Sequence, residues 1–261
     1  MTILRFFDTQ RTDPPSCRGW ISSPKRGIFK RAYVVFANFG GYRIKGSECR
    51  INERGVKMRY EADVKDLLIN NAIHLIAEGG FEKATTKELA HSGGSLPDLK
   101  MNEVYIYRYF GSKERLYEAA FILLDKELFY SFRNELREIG GVEHLTKETL
   151  YEFFLKAWKF ILGNEERCRC YVRYYYSIYF KGRSAEEHRR LFDEIISELA
   201  PAFRDEADVA AILHSVFTAL FDFAIRVYNG ELEDSEINRP HIFNVLYCMM
   251  MTYFKNSPKV S

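Results

Sequence analysis

The sequence predicts an all-α protein in two parts, a three-helix N-terminal domain followed by a larger helical domain. Three observations carry that prediction. Apolar residues recur at helical spacing from residue 61 almost to the end of the chain. Threonine, serine or asparagine stands where several of these runs begin, and glycine, proline or asparagine punctuates them. The one patch with strand character, residues 32–39 (AYVVFANF), has no partner run nearby, and an isolated strand is not stable in water.

Composition excludes several classes. The chain has 261 residues, of which 47% are hydrophobic and 28% charged, which is globular rather than disordered or collagen-like. No uninterrupted apolar run approaches the roughly 20 residues of a spanning helix, so no membrane partner is expected. The opening MTILRFFDTQRTDPP lacks the apolar stretch of a signal peptide. The five cysteines are an odd number in a chain too large to need stapling, and a reduced, cytoplasmic protein follows.

The net charge of +2 averages two unlike pieces. Residues 1–57 hold 12 Lys and Arg against 4 Asp and Glu, a net +8, which leaves −6 for residues 58–261. The first piece, with Pro14-Pro15, Pro24, Gly40-Gly41 and Gly46, reads as a poorly ordered basic leader. A basic arm can bind DNA phosphate by counterion release. Glu53-Arg54-Gly55 can also be encoded by a purine-rich ribosome-binding stretch, so Met58 is a candidate native start.

The first predicted helix starts near Glu61 and buries Val64, Leu67, Leu68, Asn71, Ala72, Leu75 and Ile76, with Gly79-Gly80 as its stop. Thr85-Thr86-Lys87-Glu88 reads as a capping box for a short second helix with Leu89 and Ala90 inside. Ser92-Gly93-Gly94-Ser95 and Pro97 break it. Asn102 caps a third helix over residues 103–110 (EVYIYRYF), and Ser112 caps a fourth from Lys113. Short helices in this order form a helix-turn-helix arrangement over residues 58–117.

Residues 62–118, above all YIYRYFGSKERLY, resemble the DNA-binding domain of the tetracycline-repressor (TetR) family. The resemblance lies in Thr85-Thr86, Leu89-Ala90, Ile106-Tyr107-Arg108-Tyr109-Phe110, Ser112-Lys113-Glu114 and Leu116. It implies an N-terminal helix-turn-helix domain followed by an α-helical ligand-binding and dimerisation domain. One departure stands out: residues 91–101 (HSGGSLPDLKM) replace a tight turn and are longer by about six residues, a length that loop-closure entropy tolerates cheaply.

Physical chemistry distributes the roles within this domain. Lys113 sits in the first turn of its helix, where the dipole disfavours a cation unless a phosphate lies there too. Thr85, Thr86 and Lys87 meet a second phosphate by the same logic. Asn102, Glu103 and Tyr105, at the start of the third helix, are placed for base edges, with Glu103 equally able to serve the helix dipole. Tyr107 and Tyr109 cannot share a face; the resemblance assigns Tyr107 to the DNA backbone, and Arg108 and Tyr109 complete the expected DNA-contacting set. Nine basic against nine acidic residues over 57–117 make local placement, not a broad basic field, the source of affinity.

Residues 118–261 contain no glycine-rich phosphate loop, nucleophile elbow or paired metal-binding histidines, so no enzyme, metal or cofactor is expected. Helices are expected near 113–139, 146–162, 165–180, 184–200, 206–228 and 236–255, with breaks at Gly140-Gly141, Gly163-Asn164, Gly182, Pro201, Asn229-Gly230 and Pro240. Glu186-Glu187-His188 reads as a solvated face. The density of aromatics, and three consecutive tyrosines at 174–176, point to a mostly apolar small-molecule cavity. Phe154, Trp158, Tyr174, Tyr175 and Phe217 are its expected walls, with Arg173 and His214 to orient a polar effector. The last two helices carry Val216, Leu220, Ile242, Val245, Leu246 and Met249, a stripe suited to a two-fold four-helix bundle in a homodimer. Asp222 and Arg226, four apart, form an expected pair on the helix.

The sequence thus reads as a ligand-responsive, dimeric regulator of double-stranded DNA, with repression the expected mode and a near-palindromic site as its target. The rival is a helical dimeric interaction protein whose lengthened turn has abolished specific DNA binding.

Overall fold

The computed structural model describes residues 53–92, 101–142 and 145–255. The expectations for the leader, and those for the inserted turn at 93–100, lie outside these residues. Among them are nine α-helices and no strand: α1 (Glu53–Lys83), α2 (Thr86–His91), α3 (Val104–Phe110), α4 (Lys113–Glu138), α5 (Lys147–Leu162), α6 (Glu165–Tyr175), α7 (Arg183–Leu199), α8 (Val209–Tyr228) and α9 (Asn238–Met251).

Helix α1 begins before the expected Glu61 and runs across Met58. Gly80 interrupts it with φ 73°, a left-handed conformation that favours glycine, and a last turn carries Phe81. Inside, Val64, Leu68, Ala72 and Ile76 are fully buried. The α2 capping box forms as read: the Thr85 hydroxyl accepts from the Glu88 N–H at 3.3 Å, and the Glu88 carboxylate accepts from the Thr85 N–H. Asn71 then donates 2.8 Å to the Leu89 carbonyl, tying α2 to α1. Asn102 accepts from the Val104 N–H at 3.0 Å and so starts α3. Gly111, at φ 83°, ends that helix, and Ser112 caps α4 through the Arg115 N–H. The boundary expected between residues 117 and 118 therefore falls inside α4, which packs on α1 and α3 at its start and on α5, α6 and α7 further along.

The body departs from the sequence expectation in four places. Helix α6 stops at Tyr175, five residues early, because the Ser177 hydroxyl turns back to the Tyr174 carbonyl (2.7 Å) and accepts from the Tyr179 N–H. Pro240 breaks nothing: it lies in the first turn of α9, where a missing N–H costs no intrahelical bond. Arg226 faces Glu231 at 3.9 Å rather than Asp222. Finally, α8 is long and apolar enough to cross a membrane by length and composition, although Ile212, Leu213, Leu220 and Ala224 face the core of the bundle. The interior is one large apolar cluster running from α1 to α9, with a satellite around Phe129, Leu191, Phe203 and Ile212.

Candidate functional site

Two regions gather the residues that the sequence singles out. The first is the outer edge of α2, α3 and the start of α4. Ile106 is fully buried and Phe110 half-buried, which orients the seven-residue α3 and turns Val104 and Tyr107 outward at 66% and 54% exposure. Glu103 and Arg108 are exposed beside them. Thr85 and Lys87 are exposed at the start of α2, and Lys113 is half-buried in the first turn of α4. The starts of α2 and α3 adjoin through Thr86 and Glu103, and the end of α3 leads through Gly111 and Ser112 into the start of α4.

Some of the expected side chains are already engaged. The Thr86 hydroxyl donates 3.1 Å to Glu103, bridging the starts of α2 and α3. Asn102 spends its oxygen on the Val104 N–H. Tyr105 and Tyr109 are four apart and stack with ring centres 6.1 Å apart, half-buried against the core, with Lys65 and Arg108 each 5.5 Å from the Tyr109 ring. Tyr105 and Tyr109 therefore form a side wall of the domain, and Tyr107 is the tyrosine left free to reach outward. Val104 was not singled out from sequence, though spacing of three and four from Tyr107 and Arg108 puts it on their face.

The domain is braced from below. Tyr117 is fully buried, and its hydroxyl donates 2.6 Å to the Ala84 carbonyl just before α2. Burial pushes that phenol far above its ordinary range, so it remains a donor. The Phe81 ring packs 5.3 Å away.

The second region lies in the helical body. A cavity of about 110 Å³ sits between α4, α5, α7, α8 and α9 and is lined by apolar side chains with Arg133. Phe154 and Phe217 belong to its walls, and so do Val216, Leu220 and Leu246. A smaller one, of about 40 Å³, is lined by Tyr175, His214 and Phe217 together with Phe129, Tyr171, His188 and Phe192. Three residues expected here are elsewhere. Trp158 is buried, with its indole N–H donating 2.9 Å to Asp234. Tyr174 is buried and its hydroxyl lies 3.0 Å from the Tyr179 carbonyl. Arg173 donates 2.8 Å to the Ile76 carbonyl, joining α6 to α1. His188, read as solvated, turns inward with its Nδ1 3.0 Å from the buried Asp125. Helix phase explains the difference: Leu191 and Ile195, three and seven residues on, set the inner face of α7.

The stripe expected between two chains is largely used within one. Leu220, Ile242 and Leu246 are buried here, as is Phe243, because α8 and α9 pack on each other and on α5. Val216 and Met249 are half-buried, and Val245 is 48% exposed. Val245 and Cys248 on α9, with Ala211, His214, Ser215 and Thr218 on α8, form the outward faces of the pair.

A helix-turn-helix unit is joined through the shared helix α4 to a cavity-bearing helical bundle. Residues 68–120 match the family described as bacterial regulatory proteins, tetR family. The fold is similar to that of a TetR family transcription regulator from Marinobacter aquaeolei, with a TM-score of 0.56, 15% identity, and 74% of this chain and 98% of that chain covered. It is likewise similar to the fatty acid degradation regulator FadR from Bacillus halodurans (TM-score 0.51, 18% identity, 69% and 96% covered). A TetR-like transcriptional regulator from Rhodococcus sp. aligns with TM-score 0.50 at 18% identity, over 73% and 95% of the two chains. No curated protein matches the sequence.

Proposed function

We propose that the protein is a dimeric, ligand-responsive repressor that binds a near-palindromic DNA operator. The observation that carries this reading is the outward-facing start of α3, where Val104 and Tyr107 stand exposed between the exposed start of α2 and Lys113. An apolar residue so exposed suits a thymine methyl in the major groove, with Arg108 able to reach a base or phosphate. Lys113 and the free N–H groups at the start of α4 receive a phosphate, and Thr85 and Lys87 a second one. Thr86 and Glu103, bonded to each other, act as a brace between the two helices.

Dimerisation uses the outward faces of α8 and α9. Helix α8 is mostly apolar, with His214, Asp222 and Arg226 among its polar positions, while only part of it is buried within the chain, and a second copy covers the remainder. Val245 and the small residues Ala211 and Ser215 let the helices approach. Two recognition helices then lie about one DNA turn or a multiple apart.

The effector enters the body. An apolar cavity of about 110 Å³ offers a hydrocarbon group burial worth on the order of 2–3 kcal/mol at roughly 24 cal/mol per Å³. An effector that prefers a conformation with wrongly spaced recognition helices releases DNA, and its ratio of affinities for the two conformations limits the response. The rival reading, an interaction protein without DNA specificity, draws on the acidic Glu103 at the start of α3.

Selection of genomic fragments by the purified protein tests the two. A palindromic consensus is expected. Lys113→Ala should weaken binding to all sites alike and lower the salt dependence by about one counterion. Failure to enrich any motif at low salt, with folded dimer present, refutes the regulator.

A further inference from the structure

The larger cavity of the helical body is walled almost entirely by hydrocarbon. Seven of its nineteen lining residues are phenylalanine, and the others are aliphatic or methionine except for Arg133. Phe132 and Phe217 stack with ring centres 5.4 Å apart, and Phe132 meets Phe153 edge to face at 6.0 Å. Phe154 and Phe243 lie 5.7 Å apart on the opposite helices. These rings come from α4, α5, α8 and α9, so four helices hold the walls at once.

The one charge of the lining is already balanced. The Arg133 guanidinium donates 2.6 Å to Glu194 and also to Glu198, both on α7 and neither part of the lining. One guanidinium facing two carboxylates leaves no positive charge to receive an anion. Its Nε is buried and, among the described residues, has no partner. A water needs two to four polar partners, so a single nitrogen does not make this a site for water. An ion of either sign would leave its hydration shell for hydrocarbon and gain no partner of opposite charge from the lining.

Size narrows the occupant further. A protein cavity of roughly 150 Å³ lined by Leu, Ile and Phe stays dry and binds benzene. At about 110 Å³, this one suits a single ring and is too small to hold a long acyl chain whole.

We propose that the effector is a compact, uncharged hydrocarbon of about one ring, held within the larger cavity, and that charged analogues of the same size are rejected. The proposal rests on the helical body being the effector-binding part, and it names the chemical class that part accepts. The phenylalanine walls select against charge, and the cavity volume selects the size.

The test titrates the full chain at pH 7 by calorimetry with toluene, benzylamine and benzoate. Toluene should bind saturably, about tenfold or more tighter than either ion, since neither ion finds a partner in the lining. Ala157 is buried and lines the cavity from α5. Ala157→Leu adds three carbons to that space and should weaken toluene about tenfold or more in a protein that still folds. Where it does not fold, Ala157→Val adds two carbons and should weaken toluene in the same direction. Where neither folds, the order of the three probes on the unaltered protein decides by itself. Either ion binding within tenfold of toluene, toluene unweakened in a folded Ala157 variant, or no saturable binding of toluene overturns the proposal. The titration contains no DNA, so its failure leaves the operator selection to judge the regulator, and a failed selection leaves the order of affinities intact.

Discussion

Removing one oxygen atom from Tyr117 should loosen the DNA-binding domain measurably. Tyr117→Phe keeps the buried ring against Phe81 and Tyr179 and deletes only the 2.6 Å hydrogen bond to Ala84. Both residues are fully buried, so the Ala84 carbonyl loses its phenol partner where water does not readily replace it. An unsatisfied buried acceptor costs about 1–3 kcal/mol. For a chain of this size each kcal/mol lowers Tm by roughly 2–4 °C, giving a shift of roughly 2–12 °C. Thermal unfolding followed by far-ultraviolet circular dichroism measures it, with Tyr107→Phe as the exposed control expected to stay within about 0.5 kcal/mol of the parent. A Tyr117→Phe protein that melts within about 1 °C of the parent would refute the assignment of Tyr117 as the brace beneath α2.

Three further outcomes follow from the same structure. Val104→Ala, which removes two exposed methyl groups, should leave Tm unchanged and alter base preference in operator selection by about 1 kcal/mol at a single position of each half-site. Arg239 holds the Asp234 carboxyl below its ordinary range, with the Trp158 indole adding to the effect against the opposing influence of burial. A depressed folded pKa stabilises above the unfolded value near 3.9 and is lost as pH falls through the folded one; in acid titration Asp234→Asn should therefore flatten the loss of stability below about pH 4. Burial pushes the Cys168 and Cys170 thiols up to about 12, while Cys248 is exposed. Iodoacetamide at neutral pH should therefore leave Cys168 and Cys170 unlabelled in the native protein and reach them only on unfolding, as read by peptide mass spectrometry. The raised thiols keep their protons while unfolded thiols ionise near 8.5, so their stabilisation is complete below that pH and declines through pH 9 to 12.

The sequence by itself determined the helices of the N-terminal domain, because their signals are local. The Thr85–Glu88 capping box, the Ser112 cap and the glycine at 111 act within a few residues, and each forms where its spacing requires. Periodicity likewise located the inner stripe of α1 and the starts of α5 and α6. Which aromatic lines a cavity was not legible in this way. Trp158, Tyr174 and Tyr175 look alike in the sequence, yet the first two are fixed by Asp234 and by the turn after α6, and only Tyr175 reaches a cavity. Arg173 and His188 exchanged expected roles for the same reason, one capping a carbonyl of α1 and the other meeting an aspartate 63 residues away. The division of α8 and α9 into inner and outer faces also depends on the angle at which neighbouring helices cross, and an apolar stripe alone does not encode that angle. Tertiary structure thus decided which side chains were consumed in holding the bundle together. Those left over, Val104 and Tyr107 on α3 and the space around Phe217, are the ones available to a partner.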